Sequence, residues 1–256
     1  MITTNIKLIV NKKDFSMSER IAKYLSRSGV CSRREAEKFI AQQRITVNGE
    51  TVVSPAFNVE GTEDIRFDGE KISRPEATRL WLYHKPCGLV TSHKDNQGRP
   101  TVFDNLPAGL PRVMSVGRLD LNSEGLLLLT NNGELARALE LPQNGWSRRY
   151  KVRVHGFLDK AKLAELENGA VVDGVHYGAV KVVVESEQGT NAWLSITLNE
   201  GKNREIRKLM KSVGLDVARL LRLSYGPFQL GSLNKGEVKE VPQKVLREQL
   251  GGKFQL

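Results

Sequence analysis

Residues 117–133, GRLDLNSEGLLLLTNNG, decide how the larger part of this chain folds. The unbroken apolar run predicts a buried β-strand over residues 126–130. The Asn132-Gly133 pair that follows predicts a turn into a short helix over residues 134–141. Asp120 stands in a polar turn just before the strand, where a rigid support can hold a carboxylate facing a cleft. This stretch therefore predicts both a central strand and a candidate nucleophile or base.

Strand and helix patterns are mixed along the rest of the chain from residue 80, which indicates an α+β fold. Further strands are predicted at residues 80–83, 150–154, 180–185 and 193–198. One helix is predicted over residues 159–168, before Gly169, and another over residues 203–213. The residues that the last helix leaves in solvent are basic: Arg204, Lys208 and Lys211.

Residues 17–72 predict a compact unit of two helices and a hairpin. Ser18 can cap the first helix, and Gly29 is placed to end it. The run Ser32-Arg33-Arg34-Glu35 is a capping-box pattern for the second helix. Asn48-Gly49, between two β-branched runs, is a strong signal for a two-residue hairpin turn.

The positive charge is concentrated in two places. Residues 17–49 hold seven basic and three acidic residues, and residues 201–223 hold seven and two. Such clusters suit a polyanion, although charge alone fits two solvated helix faces equally well. Arg33 and Arg34 stand at a predicted helix start, where free N–H groups favour phosphate. The basic residues that can extend this surface are Arg20, Lys23, Lys38 and Arg44.

The composition excludes several classes of protein. The 256 residues carry a net charge of +10, with 39% hydrophobic and 27% charged residues, as in soluble globular proteins. Residues 126–129, the longest aliphatic run, are too few to cross a membrane, and two cysteines cannot form a disulfide framework. Nucleotide-binding loops and metalloprotease motifs are absent from the sequence. We expect a cytoplasmic protein without a metal or cofactor.

Residues 18–52, SERIAKYLSRSGVCSRREAEKFIAQQRITVNGETV, resemble the S4 RNA-binding module. The most specific part of the resemblance runs from Gly29 to Gly49. It implies that Arg33, Arg34 and the basic residues near them contact structured RNA. We expect Arg204, Lys208 and Lys211 of the second basic cluster to contact RNA as well. A charged helix cap without a ligand is the simpler alternative.

From Met17 onward the chain closely resembles the RsuA/RluB group of pseudouridine synthases. The supporting segments are YHKPCGLVTSHKDNQGRPTVFDNLP (83–107), VGRLDLNSEGLLLLTNNGELA (116–136), RRYKVRVHG (148–156) and EGKNREIRKLMKSVGLDVARLLRLSYGPFQL (200–230). The resemblance implies isomerisation of uridine without a metal or cofactor, and a catalytic role for Asp120. It also implies that Tyr150 packs against the target base, that Arg207 pairs with Asp120 and that Arg118 helps to extrude the nucleotide.

The resulting interpretation divides the chain into an S4-like domain (17–72), a linker (73–79) and a catalytic domain (80–250) built on a mostly antiparallel mixed sheet flanked by helices. Residues 1–16 and 251–256 are expected to be tails. The expected partner is ribosomal RNA, with the 23S molecule preferred over the 16S molecule, and the expected state is a monomer.

Two other functions compete with this interpretation. One is a non-catalytic S4-type RNA-binding or ribosome-assembly protein, and the other is an N-glycosidase that releases free uracil. From spacing alone, a core aromatic role for Tyr150 and a helix-surface position for Arg207 would be favoured, and the complete set of motifs reverses this preference.

Overall fold

The chain forms two compact units, divided between Ala77 and Thr78 in a computed structural model that describes residues 18–250. The division falls inside the segment expected to be a linker. The two expected tails lie outside the described residues. Helices and mixed or antiparallel strands build the described chain, which confirms the predicted α+β class. Within residues 18–250, no helix has both the length and the apolar character that crossing a membrane requires.

The described part of the first unit contains two helices and six short strands. They are β1 (Glu19–Arg20), α1 (Ile21–Arg27), α2 (Arg33–Ala41), β2 (Ile45–Val47), β3 (Glu50–Thr51), β4 (Asn58–Val59), β5 (Ile65–Phe67) and β6 (Glu70–Lys71). Four strands form a sheet in the order β3-β2-β5-β6, and β1 pairs with β4. The apolar faces of both helices pack over this unit's own core.

Local sequence signals explain the turns of the first unit. The capping box forms as predicted, because Glu35 N donates to Ser32 Oγ and Ser32 N donates to Glu35 Oε2 at 2.8 Å. Asn48 and Gly49 both take positive φ angles, 52° and 86°, which a two-residue hairpin turn requires. The prediction for Ser18 is wrong: α1 begins at Ile21 and is preceded by Arg20, since Glu19 and Arg20 pair with β4.

Up to residue 250, the second unit contains four α-helices and eleven strands. They are β7 (Leu80–Lys85), β8 (Met114–Val116), β9 (Glu124–Thr130), α3 (Gly133–Glu140), β10 (Arg148–His155), α4 (Lys160–Glu165), β11 (Ala170–Val172), β12 (Val175–Tyr177), β13 (Val180–Gln188), β14 (Asn191–Leu198), α5 (Glu205–Ser212), β15 (Asp216–Tyr225), β16 (Phe228–Gln229), β17 (Val238–Glu240) and α6 (Gln243–Leu250). Nine of the strands form one sheet, in which β13-β14-β10-β15-β9-β7-β17 are neighbours. Of its described pairs, β9 with β15 is parallel and the others are antiparallel.

The predicted central strand is β9, which begins at Glu124, two residues earlier than expected. Every residue of β9 is buried. Leu127 and Leu129 pack into the core on one face of the sheet, whereas Leu126 and Leu128 pack into the core on the other. The run of four leucines is unbroken because both faces of this strand are covered and need apolar side chains.

Two helices are shorter than predicted for identifiable reasons. The helix after Asp159 ends at Glu165 and continues as one 3-10 turn over Leu166–Asn168. Helix α5 begins at Glu205, because Arg204 takes a left-handed backbone conformation that an α-helix cannot contain. As predicted, α5 buries Ile206 and Leu209.

Gly125 allows β9 to approach β15 very closely. It pairs with Arg222 in parallel register and takes a φ of +104°. A Cβ atom at this position would overlap the Arg222 carbonyl oxygen and lie 2.6 Å from the Arg222 nitrogen. Both atoms belong to the main chain, so neither can rotate away.

We expect Gly125→Ala to lower the free energy of unfolding by about 3 kcal/mol or more, because the strands must separate at their point of contact. Gly109→Ala is the matched control, since Gly109 has a φ of +90° and open space around its Cβ position. That control should lose only about 1 to 2 kcal/mol, the cost of the backbone conformation. Urea unfolding measures both, and equal losses would contradict the close-contact argument.

Candidate active site

A cavity of about 690 Å³ opens in the second unit, within the size range of small-molecule sites. Its lining includes the turn at residues 117–121, Tyr150 of β10, Arg222 of β15 and the loop at residues 199–204. Asp120 is part of this lining, in the turn that leads into β9. The candidate carboxylate thus stands at a concave site, as the sequence predicted.

The backbone around Asp120 is fixed by hydrogen bonds. The Asp120 carbonyl accepts from Ser123 N at 3.0 Å and from the Lys85 ammonium at 3.2 Å. The next carbonyl, of Leu121, accepts from Gly88 N at 2.9 Å. The Asp120 side chain is 31% exposed. The turn is therefore rigid while its carboxylate stays accessible.

Two arginines approach the Asp120 carboxylate. Arg204 Nη1 lies 3.5 Å from Asp120 Oδ2, and Arg207 Nε lies 3.9 Å from the same oxygen. The resemblance implied a pair between Asp120 and Arg207, and the structure adds Arg204 as the nearer cation. Both come from the chain around the start of α5.

Arg207 is held in place by the main chain. Its Nη1 donates to Val217 O at 2.9 Å and its Nη2 donates to Asn122 O at 3.0 Å. The side chain is 15% exposed. Burial, and then the charge of Arg204, lower the pKa of Arg207, whereas the Asp120 carboxylate opposes this change. Arg207 is thus a fixed, largely buried cation rather than a free charge on a helix surface.

Tyr150 and Arg118 line the same cavity as Asp120. Tyr150 is buried on β10, between Ile196 of β14 and Arg222 of β15 in the register of the sheet. Arg118 is exposed, two residues before Asp120. The structure therefore brings Asp120, Tyr150 and Arg118 to one cavity, with Arg207 beside Asp120.

Lys85, which the sequence interpretation did not single out, is completely buried at the end of β7. Its ammonium donates to the carbonyls of Pro86, Asp120 and Ser123 at 2.9–3.2 Å. Burial lowers its pKa from the ordinary 10.5 to about 8, while nearby thiol and carboxylate groups oppose this. The sequence signal that could have identified it is a lysine at the end of the largely apolar strand LWLYHK.

Other buried ionic groups in and beside the cavity were also missed. Arg148 donates to the carbonyls of Trp146, Asn199 and Glu200 and to the Tyr225 hydroxyl, at 2.7–3.1 Å. Arg222 donates from Nε to Leu126 O at 2.6 Å. Burial raises the pKa of the cavity-lining Glu205. Main-chain carbonyls come together only in the fold, so the sequence carried little sign of these partners.

The basic residues predicted to bind RNA differ in their exposure and in the ion pairs that they form. In the first unit Arg20, Arg33, Arg34 and Lys38 are exposed. Lys23 forms an ion pair with Glu19 at 3.3 Å. Arg44 pairs with Asp68 and stacks at 4.6 Å from the rings of both Phe39 and Phe67, so its guanidinium is engaged inside the unit.

The basic residues of α5 line a groove in the second unit. Arg207, Lys208 and Lys211 share this groove with Arg204 and with two carboxylates, Asp173 and Asp216. Lys211 is exposed and Lys208 is half-buried. Among residues 18–250, no group of three or more His, Cys, Asp or Glu side chains is placed to hold a metal ion.

The pKa of Lys85 predicts a pH dependence of stability. Between about pH 8 and 10.5 the unfolded chain keeps a proton on Lys85 that the folded protein loses. Raising the pH through this window therefore favours the folded state. The unfolding free energy of the wild type, relative to Lys85→Met, should rise by about 3 kcal/mol across it. Urea unfolding of both proteins at several pH values tests this, and a constant difference would contradict the burial of a charged lysine.

Comparisons with known proteins identify the family of this chain. Residues 79–212 match the RNA pseudouridylate synthase family and residues 19–65 match the S4 domain. A Rickettsia felis protein named as an uncharacterized RNA pseudouridine synthase is 46% identical over 90% of this chain and 100% of its own length. The ribosomal large subunit pseudouridine synthase B of Yersinia pestis is 40% identical over 84% of this chain and 69% of its own.

A solved structure has a similar fold. The crystal structure of a pseudouridylate synthase covers 90% of this chain and 99% of its own, with a TM-score of 0.64 and 25% identity. The family match spans more than half of the chain and contains Asp120, Tyr150 and Arg207. The chain therefore belongs to the RNA pseudouridylate synthases, with an S4 domain ahead of the synthase domain.

Proposed function

We propose that this synthase converts a uridine of 23S ribosomal RNA to pseudouridine, with Asp120 as the catalytic carboxylate. The observation that carries the proposal is the position of Asp120, whose carboxylate has two guanidinium groups within 4 Å in a cavity that Tyr150 also lines. A carboxylate held by a rigid turn and paired with cations is suited to act on an electron-poor sugar carbon.

The reaction needs a negative charge beside the sugar. When the C1′–N1 bond breaks, its electron pair leaves with the base, and C1′ becomes electron-poor. Asp120 can add to C1′, stabilise it or take a sugar proton. After the base turns, C5 bonds to C1′, and the proton lost from C5 is balanced by one gained at N1. Atoms and charge are then conserved without a co-reactant.

The other site residues have matching roles in this proposal. Tyr150 offers an aromatic wall against which the detached base can turn without escaping. Arg207, fixed by two carbonyls, holds a positive charge beside Asp120. Arg118 is exposed at the cavity and can take the place of a nucleotide that leaves its stack.

The preference for 23S RNA is supported by relatives whose names specify the ribosomal large subunit. The S4 unit, with Arg33 and Arg34 exposed on α2, supplies a surface for phosphate in a different unit from Asp120. We propose that the enzyme acts in the cytoplasm, which fits relatives whose names specify the ribosomal large subunit. We also propose that it acts as a monomer, because one chain supplies Asp120, Tyr150, Arg118 and Arg207.

The chemistry is tested with unmodified 23S and 16S transcripts and with Asp120→Asn. Carbodiimide mapping should find pseudouridine in the 23S transcript treated with wild-type enzyme. Asp120→Asn keeps the shape of the side chain and removes its charge, so turnover should vanish while the Kd for RNA stays close to that of the wild type. Mass spectrometry must exclude deamidation of the variant to Asp.

Each contrary result has a definite meaning. Conversion of the 16S transcript alone would overturn the choice of RNA, and release of free uracil would indicate an N-glycosidase. Turnover by intact Asp120→Asn would show that the catalytic carboxylate has been misassigned. Binding without conversion by wild-type enzyme would favour the non-catalytic RNA-binding protein.

The role of the S4 unit predicts a change in salt dependence. Arg33→Ala/Arg34→Ala should raise the Kd and make the log–log salt slope shallower by about one to two units, because phosphate contacts release counterions. The single-turnover rate at saturating RNA should stay nearly unchanged. Lys71→Ala removes an exposed lysine that pairs with Asp64 in the same unit and should leave the slope as it is. An unchanged slope in the double variant would place the RNA contacts elsewhere.

A further inference from the structure

Arg204 has a backbone conformation that is unusual for its residue type. Its φ and ψ are 51° and 31°, in the left-handed region, directly before the first residue of α5. A side chain with a Cβ is disfavoured there, and such strain persists where the surrounding structure imposes it. In this case the strained residue carries the guanidinium that lies nearest to Asp120.

Arg204 is much less constrained than Arg207. Arg207 donates to two main-chain carbonyls and is 15% exposed, whereas Arg204 is 51% exposed. Among the described residues, the side-chain hydrogen bond of Arg204 goes to Asp120, at 3.5 Å, which is at the long limit for such a bond. The Arg204 guanidinium can therefore leave Asp120 at little cost, while Arg207 stays beside it.

The position of Arg204 joins two concave surfaces. It lines the cavity that contains Asp120 and Tyr150, and it also lines the groove beside α5. The charged residues of that groove are four cations, Arg204, Arg207, Lys208 and Lys211, and two carboxylates, Asp173 and Asp216, so its net charge is positive. A nucleic-acid strand that lies along this groove reaches Arg204 before its target base enters the cavity. A guanidinium can bind phosphate oxygens through two parallel hydrogen bonds, more strongly than it holds one carboxylate oxygen at 3.5 Å.

We propose that Arg204 exchanges Asp120 for a backbone phosphate next to the target uridine when RNA binds. This inference rests on the proposed function and adds a specific contact to it. The exchange anchors the extruded nucleotide at the mouth of the cavity and exposes the Asp120 carboxylate to the sugar. Arg207 remains as the fixed cation beside Asp120.

The test combines a protein change with an RNA change. Arg204→Gly removes the guanidinium and leaves a residue that accepts the left-handed backbone; Arg204→Asn, which also tolerates it, is a second variant in case the first fails to fold. The RNA is a synthetic 23S stem-loop containing the mapped uridine, with an uncharged methylphosphonate on its 5′ or its 3′ side. Single-turnover kinetics give the half-saturating enzyme concentration and the maximal rate for each combination.

With wild-type enzyme, the methylphosphonate at one of the two positions should raise the half-saturating enzyme concentration about ten- to a hundred-fold. This is the range expected for the loss of a hydrogen bond to a charged group. In Arg204→Gly and Arg204→Asn the same methylphosphonate should have almost no further effect. Lys211→Ala is the matched control, because it removes a cation of the groove outside the cavity. The fold-increase in half-saturating enzyme concentration caused by Lys211→Ala should multiply with that caused by the methylphosphonate, as two independent effects do.

Additive effects of Arg204→Gly and the methylphosphonate at both positions would overturn the inference. So would a variant that loses maximal rate while its half-saturation stays unchanged, since Arg204 would then act on Asp120 during the chemistry. Failure of the proposed function is a separate result, because wild-type enzyme would then leave the unmodified stem-loop unconverted.

Discussion

The contact between Gly125 of β9 and Arg222 of β15 is the constraint on which the second unit depends. Strands β7, β8, β9 and β17 form one part of the large sheet, and β10, β13, β14, β15 and β16 form the other. These parts are joined by a short parallel ladder, in which Leu221 pairs with Glu124 and Arg222 with Gly125. Asp120 enters from the first part and Tyr150 from the second, so this ladder sets the distance between them.

The ions around this junction are held mostly by dipoles of the main chain. Lys85 and Arg148 are buried, and their donors reach carbonyl oxygens and one hydroxyl. These hydrogen bonds offset part of the cost of removing a cation from water. Because a carbonyl carries no net charge, the cations keep the surroundings of the cavity positive, which suits an anionic substrate. Glu124 differs, since it is neutralised by Arg219 and Lys235.

The sequence predicted those features that depend on neighbouring residues. The capping box at Ser32, the hairpin at Asn48 and the buried strand of leucines are local patterns with one favoured structure. The resemblance to known synthases correctly indicated the family, and it directed attention to Asp120 and Tyr150. Features that depend on distant residues were not predicted. The contacts of Lys85, Arg148 and Arg222 join positions up to 96 residues apart, and no local period encodes such pairings.

The parallel ladder also has a consequence for the order in which the protein can fold during synthesis. Every strand pair of the first unit joins residues between Glu19 and Lys71, so its partners leave the ribosome early. In the second unit, β7 pairs with β17 and β9 pairs with β15, and both partners are synthesised about a hundred residues or more later. Until then the leucines of β9 lack the core residues that the later strands and helices supply, and the nascent chain is prone to aggregation. In a nascent chain of this enzyme, the S4 unit can therefore complete its folding before the synthase unit can.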